Sequence, residues 1–169
     1  MNRQELENYL KLLGQKLIAK EITGEIILAG GAVMLLVVRN RETTKDIDAY
    51  FGDQPEIRIA AEELAREEGL REDWLNDGVK GFFYGNPPQV LWAEYPGLRV
   101  YTVHPEYLFA MKVLAGRDSD IEDLQALIIY MKLNNSDEAM QIIEQYVPER
   151  LLTVRTKYLI EDLFESGTL

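Results

Sequence analysis

The sequence predicts an α+β domain in which a small mixed β-sheet is flanked by helices and followed by a helical C-terminal part. Three observations carry that expectation. Short apolar, strand-like runs are confined to the stretch between Glu25 and Val103, a helix-period segment precedes them, and everything from Pro105 onward has helical spacing. With 169 residues, 47% of them hydrophobic, the chain is long enough to bury one core, and no repeat or Pro/Gly/Ser-rich linker divides it. A single domain over 1–169 is expected.

The elements follow in order. From Gln4 to Lys20, Leu6, Leu10, Leu13 and Leu17 recur at helical spacing, and Asn2 and Glu5 form a capping pair ahead of them. Glu25 to Ala29 reads as a short buried strand. Gly30 and Gly31 break it before the apolar run Ala32 to Val38, read as a short helix packed in the core. Asp46 to Phe51 reads as a second strand, Pro55 to Glu68 as a surface helix, and Val90 to Val103 as one or two strands around Tyr95-Pro96-Gly97.

Composition excludes several chemistries. Cysteine is absent and His104 is the one histidine, so neither a thiolate zinc site nor a histidine cage exists; any metal must be held by oxygen. The net charge of −11 opposes nonspecific binding to a phosphate backbone. No apolar run approaches the ~20 residues of a membrane span, and the polar N-terminal stretch lacks the regions of a signal peptide. A soluble, cytoplasmic protein with no membrane partner is expected.

The stretch Leu28 to Phe51 concentrates the chemistry. In a strand, Asp46, Asp48 and Tyr50 share one face while Ile47, Ala49 and Phe51 share the other. The two carboxylates then stand ~7 Å apart at Cα, close enough to converge on a hard divalent cation. Ahead of them, a Gly-Gly turn opening a helix presents bare backbone N–H groups suited to phosphate. Each feature alone has a plain structural explanation, as a packing glycine or a solvated strand face; their combination points to nucleotide chemistry. A calcium loop is excluded, since Phe51 and Ile57 stand where it needs glycine and glutamate, and neither a Walker loop nor GxGxxG is present.

Gly30-Gly31, the apolar segment after them and "RETTKDID" resemble the signature of the DNA polymerase β-like, or minimal, nucleotidyltransferase superfamily. "DWLNDGVKGFF" (Asp73 to Phe83) and "EYLFAMKVLAGRDSDIEDLQAL" (Glu106 to Leu127) sharpen the likeness to a bacterial branch of abortive-infection-type toxins and related nucleotidyltransferase-like proteins. The resemblance covers a core of about 20–127, leaving about 128–169 as a helical extension. It implies that Gly30 and Gly31 hold nucleotide phosphates, that Asp46 and Asp48 bind Mg²⁺ or Mn²⁺, and that Arg41 and Thr43 brace the turn before the strand. It further implies that Lys112 meets the triphosphate and that Asp120 or Asp123 completes the site. A nucleoside triphosphate substrate follows, with RNA, a protein or a small molecule as acceptor and a cognate toxin or antitoxin as a possible partner. The pattern also departs from the superfamily: Gly31 replaces a common serine, and the third carboxylate has no evident position, Glu94 being its candidate. A degenerate nucleotide-binding or antitoxin-like module is the alternative.

The remaining candidates have two readings each. Leu108, Met111 and Ala115 are expected to form an inward stripe, and Lys112, on that side, either covers apolar surface with its stem or serves the site. Ser119 and Glu122 spell a capping box, so Asp120 and Asp123 suit a helix start as well as a site. Arg117 is placed to pair with either aspartate or to touch phosphate. Trp74 and Leu75 are read as packing residues, Asn76 as the cap of the next turn, Asn76 and Asp77 as minor site candidates, and His104 as a capping residue.

Overall fold

The computed structural model describes residues 1–81, 83 and 86–165. It is α+β, as expected, and the chain forms two compact units: residues 1–82 with 89–103, and residues 83–88 with 104–169.

The first unit holds the sheet. Helix α1 (Arg3–Ala19) starts at a complete capping box: Asn2 accepts from the Glu5 backbone N–H and the Glu5 carboxylate accepts from the Asn2 N–H. Its buried stripe is Leu6, Leu10, Leu13 and Leu17. Strands β1 (Gly24–Leu28), β2 (Ile47–Tyr50), β3 (Leu75–Asn76), β4 (Gln89–Tyr95) and β5 (Leu98–Val103) form one mixed sheet in the order β3-β2-β1-β5-β4. β1 runs parallel to β5 and antiparallel to β2, β2 runs parallel to β3, and β4 and β5 make a hairpin.

The registers sort the side chains onto two faces. Ile47 lies beside Leu75, Leu28 beside Ala49 and Ile26 beside Val100, and all six are buried. Helix α3 (Pro55–Glu68) and α1 cover that face: a side chain on Gly24 would meet Leu17 and Ile57. α3 is bounded as the sequence implies, by Pro55 in its first turn and by Gly69 in the left-handed conformation at its end. Trp74 is buried just before β3, where its indole Nε1 donates to the Ala61 carbonyl of α3 at 2.9 Å and its ring meets the edge of Tyr9.

Two expectations in this unit need correction. The strand at the acidic pair is shorter than Asp46 to Phe51: Asp46 precedes it, and Phe51 follows it as a buried residue. The segment after the glycines is one α-turn, α2 (Gly30–Val33), continued by a π-helical turn over Met34–Val38 that closes where Arg39 N–H donates to the Met34 carbonyl. Arg39 is left-handed, with φ 61°.

The second unit is helical: α4 (Pro105–Ala115), α5 (Ile121–Met131), α6 (Ser136–Tyr146) and α7 (Val154–Glu165). Its core includes Leu108, Phe109, Leu124, Leu127, Ile143 and Ile160. Tyr107 receives the ring of Tyr146 edge-on at 5.5 Å. Three details differ from the sequence reading. Ala115 is exposed rather than part of the inward stripe, because the helix ends there and Gly116 turns left-handed. Ser119 does not cap α5, whose N-cap is Asp120 after a short 3₁₀ turn over Asp118–Asp120. His104 stands at the N-cap of α4 with no side-chain capping bond.

Candidate nucleotide site

Asp48 is the centre of the first group of candidate residues. It lies on the sheet face opposite the buried one, half-buried, with Tyr50 two residues on and Ile27 of β1 beside Tyr50. The strand is fixed here by Ala29, whose N–H donates to the Asp48 carbonyl at 2.9 Å, and by Ile47, whose N–H donates to the Trp74 carbonyl at 2.7 Å. Gly30 then turns with φ +53°, and a β-carbon on it would collide with the Asp48 carboxylate at Oδ2. Glycine at 30 is therefore required twice, by the left-handed backbone and by the carboxylate seated against it.

Gly31 is shaped by the loop before β2. A β-carbon there would stand 2.5 Å from Thr44 Oγ1 and 3.3 Å from Arg41 Nη1. Thr44 is buried, and its hydroxyl donates to the Asp46 carbonyl at 3.0 Å. The loop is tied to the start of the chain: Thr44 N–H donates to the Met1 carbonyl at 2.8 Å, and Thr43 bridges Asn2 through its backbone. Thr43 itself is exposed, so the side chain that holds the loop against the glycines belongs to Thr44. The sequence carried this signal only as the second threonine of "TTKD".

The structure thus brings Gly30, Gly31, Arg41, Thr44 and Asp48 together, while Asp46 lies one residue before the strand. Asn76 joins them as the register partner of Asp48 across the parallel β2–β3 ladder. Its Oδ1 accepts from Gly78 N–H at 3.1 Å, the turn-capping role expected of it, while Asp77 pairs with Arg58. Glu94 is not part of this group. It lies on β4, three strands from β2 in the sheet order, where it accepts from Arg99 Nε at 3.1 Å.

The second group lies in the helical unit. Lys112 on α4 bonds Asp120 at 2.6 Å and Asp123 at 3.0 Å, and all three side chains are largely withdrawn from water, with 11%, 15% and 7% of their surface exposed. One ammonium between two carboxylates makes a compact triad of net charge −1. Arg117 is exposed at the start of the 3₁₀ turn, where its carbonyl accepts from Asp120 N–H.

Comparison with known proteins decides the family. Residues 5–147 match the model of the family described as Nucleotidyltransferase of unknown function (DUF6036). The chain belongs to this nucleotidyltransferase family. No curated protein and no solved structure matches it. The match spans both groups of candidate residues and supports a nucleotide substrate.

Asp46 and Asp48 are the residues of the first group whose chemistry suits a divalent cation of the kind nucleotidyl transfer employs. They are hard oxygen donors two residues apart in sequence, and the space a β-carbon would take at Gly30 is occupied by Asp48 Oδ2. Among the described residues no group of three or more histidine, cysteine or acidic side chains is placed to hold a metal ion. Two carboxylates suffice for magnesium, which completes its coordination with water and substrate oxygens.

Among the described residues, no helix is long and apolar enough to cross a membrane.

Proposed function

We propose that the protein transfers a nucleoside monophosphate from a nucleoside triphosphate to an acceptor hydroxyl, with Asp46 and Asp48 holding Mg²⁺ or Mn²⁺ and Gly30-Gly31 receiving the phosphates. The observation that carries this reading is the seating of the Asp48 carboxylate directly against Gly30, in a chain of this family. A carboxylate and a bare backbone turn in contact let a cation and a phosphate share one place. Arg41 and Thr44 hold the turn from the other side, and in this reading Arg41 also offers a guanidinium to a phosphate oxygen.

In the transfer, the acceptor oxygen forms a bond to the α-phosphorus. The bond from that phosphorus to the bridging oxygen breaks, and pyrophosphate leaves with the electron pair. The acceptor proton passes to Asp48 or to solvent. A divalent cation, when bound, supplies electrostatic stabilisation of the charge on the phosphate oxygens. The acceptor is RNA, a protein side chain or a small molecule, and the net charge of −11 weighs against extended RNA. A place in a bacterial toxin–antitoxin or phage-defence system rests on the sequence resemblance.

For Lys112, Arg117, Asp120 and Asp123 we propose a more limited part. Lys112 already carries two carboxylates, which makes the triad a structural pin of the helical unit before it is a phosphate contact. The second reading, a nucleotide-binding module without turnover, is favoured by the lack of a third acidic ligand among the described residues.

The deciding experiment incubates the protein with each α-labelled nucleoside triphosphate, Mg²⁺ or Mn²⁺, and RNA or protein acceptors. Label transfer that falls at least about a hundredfold in Asp48→Asn supports the enzyme. Triphosphate binding with no transfer to any acceptor leaves the binding module.

A further inference from the structure

We propose that Asn76 is a nucleotide-binding residue whose Nδ2 donates a hydrogen bond to a phosphate oxygen beside Asp48. This rests on the nucleotidyltransferase reading above and adds a residue and a recognition chemistry to it.

The register supplies the position. In the parallel β2–β3 pair Ile47 lies beside Leu75 and Asp48 beside Asn76. Ile47 and Leu75 are both buried, so Asp48 and Asn76, the next residues along, project from the opposite face, where both are half-exposed. Neighbouring strands stand about 4.8 Å apart, which puts the two side chains within reach of one ligand atom.

The turn after β3 supplies the orientation. Gly78 N–H donates to the Asn76 side-chain carbonyl, which assigns that end of the carboxamide as acceptor and leaves the NH₂ end as donor. Among the described residues no hydrogen bond is made by Asn76 Nδ2. The turn by itself does not call for an amide, because an aspartate would accept from Gly78 N–H at least as well. What asparagine alone adds at this place is a neutral N–H donor next to a carboxylate.

Electrostatics supplies the reason for such a donor. Asp46 and Asp48, in a chain of net charge −11, repel a polyphosphate, and a carboxylate at 76 would add to that repulsion. An amide donor gives the phosphate a favourable contact without neutralising the carboxylates that hold the cation.

The test uses the full chain, Asn76→Ala and Asn76→Asp, titrated in Mg²⁺ with the four α,β-methylene nucleoside triphosphates by calorimetry, with Tm measured alongside. Both variants lose the donor, whereas only Asn76→Ala also loses the acceptor for Gly78. The expected result is affinity at least about tenfold weaker in both variants for whichever probe the wild type binds. If Asn76→Asp keeps wild-type affinity, the residue serves the turn alone and the proposal is overturned; unchanged affinity in Asn76→Ala overturns it equally. Should the charge beside Asp48 unfold Asn76→Asp, the uncharged Asn76→Ala decides. Failure of the wild type to bind any of the four probes would remove the nucleotidyltransferase reading itself, and Asn76 with it.

Discussion

Gly30 is held by backbone geometry and a carboxylate contact, Lys112 by charge. At Gly30 the left-handed φ and the contact with Asp48 act together, so Gly30→Ala must either rotate the backbone or push the carboxylate aside. The left-handed backbone alone costs about 1–2 kcal/mol with a β-carbon present. Gly30→Ala is therefore expected to lower stability by at least that amount in denaturant titration and to blunt any stabilisation by Mg²⁺. Lys112 is a packing question answered by electrostatics. As a snorkelling lysine it would tolerate methionine, but Lys112→Met in this structure removes the ammonium that Asp120 and Asp123 share, both carboxylates being largely buried. A loss of about 3–5 kcal/mol is expected, the usual consequence of removing one partner from a buried ion pair. Lys112→Met combined with Asp123→Asn should recover a substantial part of it. A single Lys112→Met variant as stable as wild type in urea would show that the triad contributes nothing.

Among the elements, those with chemical punctuation were legible and those without it were not. α3 was read to the residue because Pro55 and Gly69 mark its ends, and α1 to within one residue at each end because Asn2 and Glu5 form the box that the spacing suggests. The π-turn at Met34–Val38 left no trace, since five consecutive apolar residues look alike in any helical geometry. Period-2 alternation placed Asp48 on the face opposite the buried one, yet Asp46 falls just outside β2, where the Thr44 hydroxyl bonds its carbonyl, the group a strand would pair. Thr44 and the Asn76 register were beyond the sequence, because loop packing and strand neighbours are set by tertiary contacts. β3 is only two residues long and cannot hold its register by backbone bonds alone. Trp74 fixes it to α3, and Trp74→Phe would remove the indole N–H that bonds the Ala61 carbonyl, which keeps its own helical partner. About 0.5–1.5 kcal/mol of destabilisation is expected. Faster amide exchange at Ile47, which donates to the Trp74 carbonyl, should accompany it.

For the whole molecule the governing quantity is the net charge of −11, because it makes every cation stabilising to some degree and so hides a specific site. Screening responds to ionic strength and is indifferent to which carboxylates are present. A site made of Asp46 and Asp48 responds instead to the identity of the cation, since binding to the native state alone adds stability as the logarithm of ligand concentration over Kd. At a concentration a hundredfold above Kd that is about 2.7 kcal/mol, a shift of several degrees in Tm for a chain of this size. Mg²⁺ or Mn²⁺ is accordingly expected to raise Tm beyond an ionic-strength-matched KCl control. In the double variant Asp46→Asn with Asp48→Asn the divalent and KCl curves should coincide. A divalent response that persists undiminished in the double variant would place the cation elsewhere on the acidic surface and separate metal binding from Asp46 and Asp48.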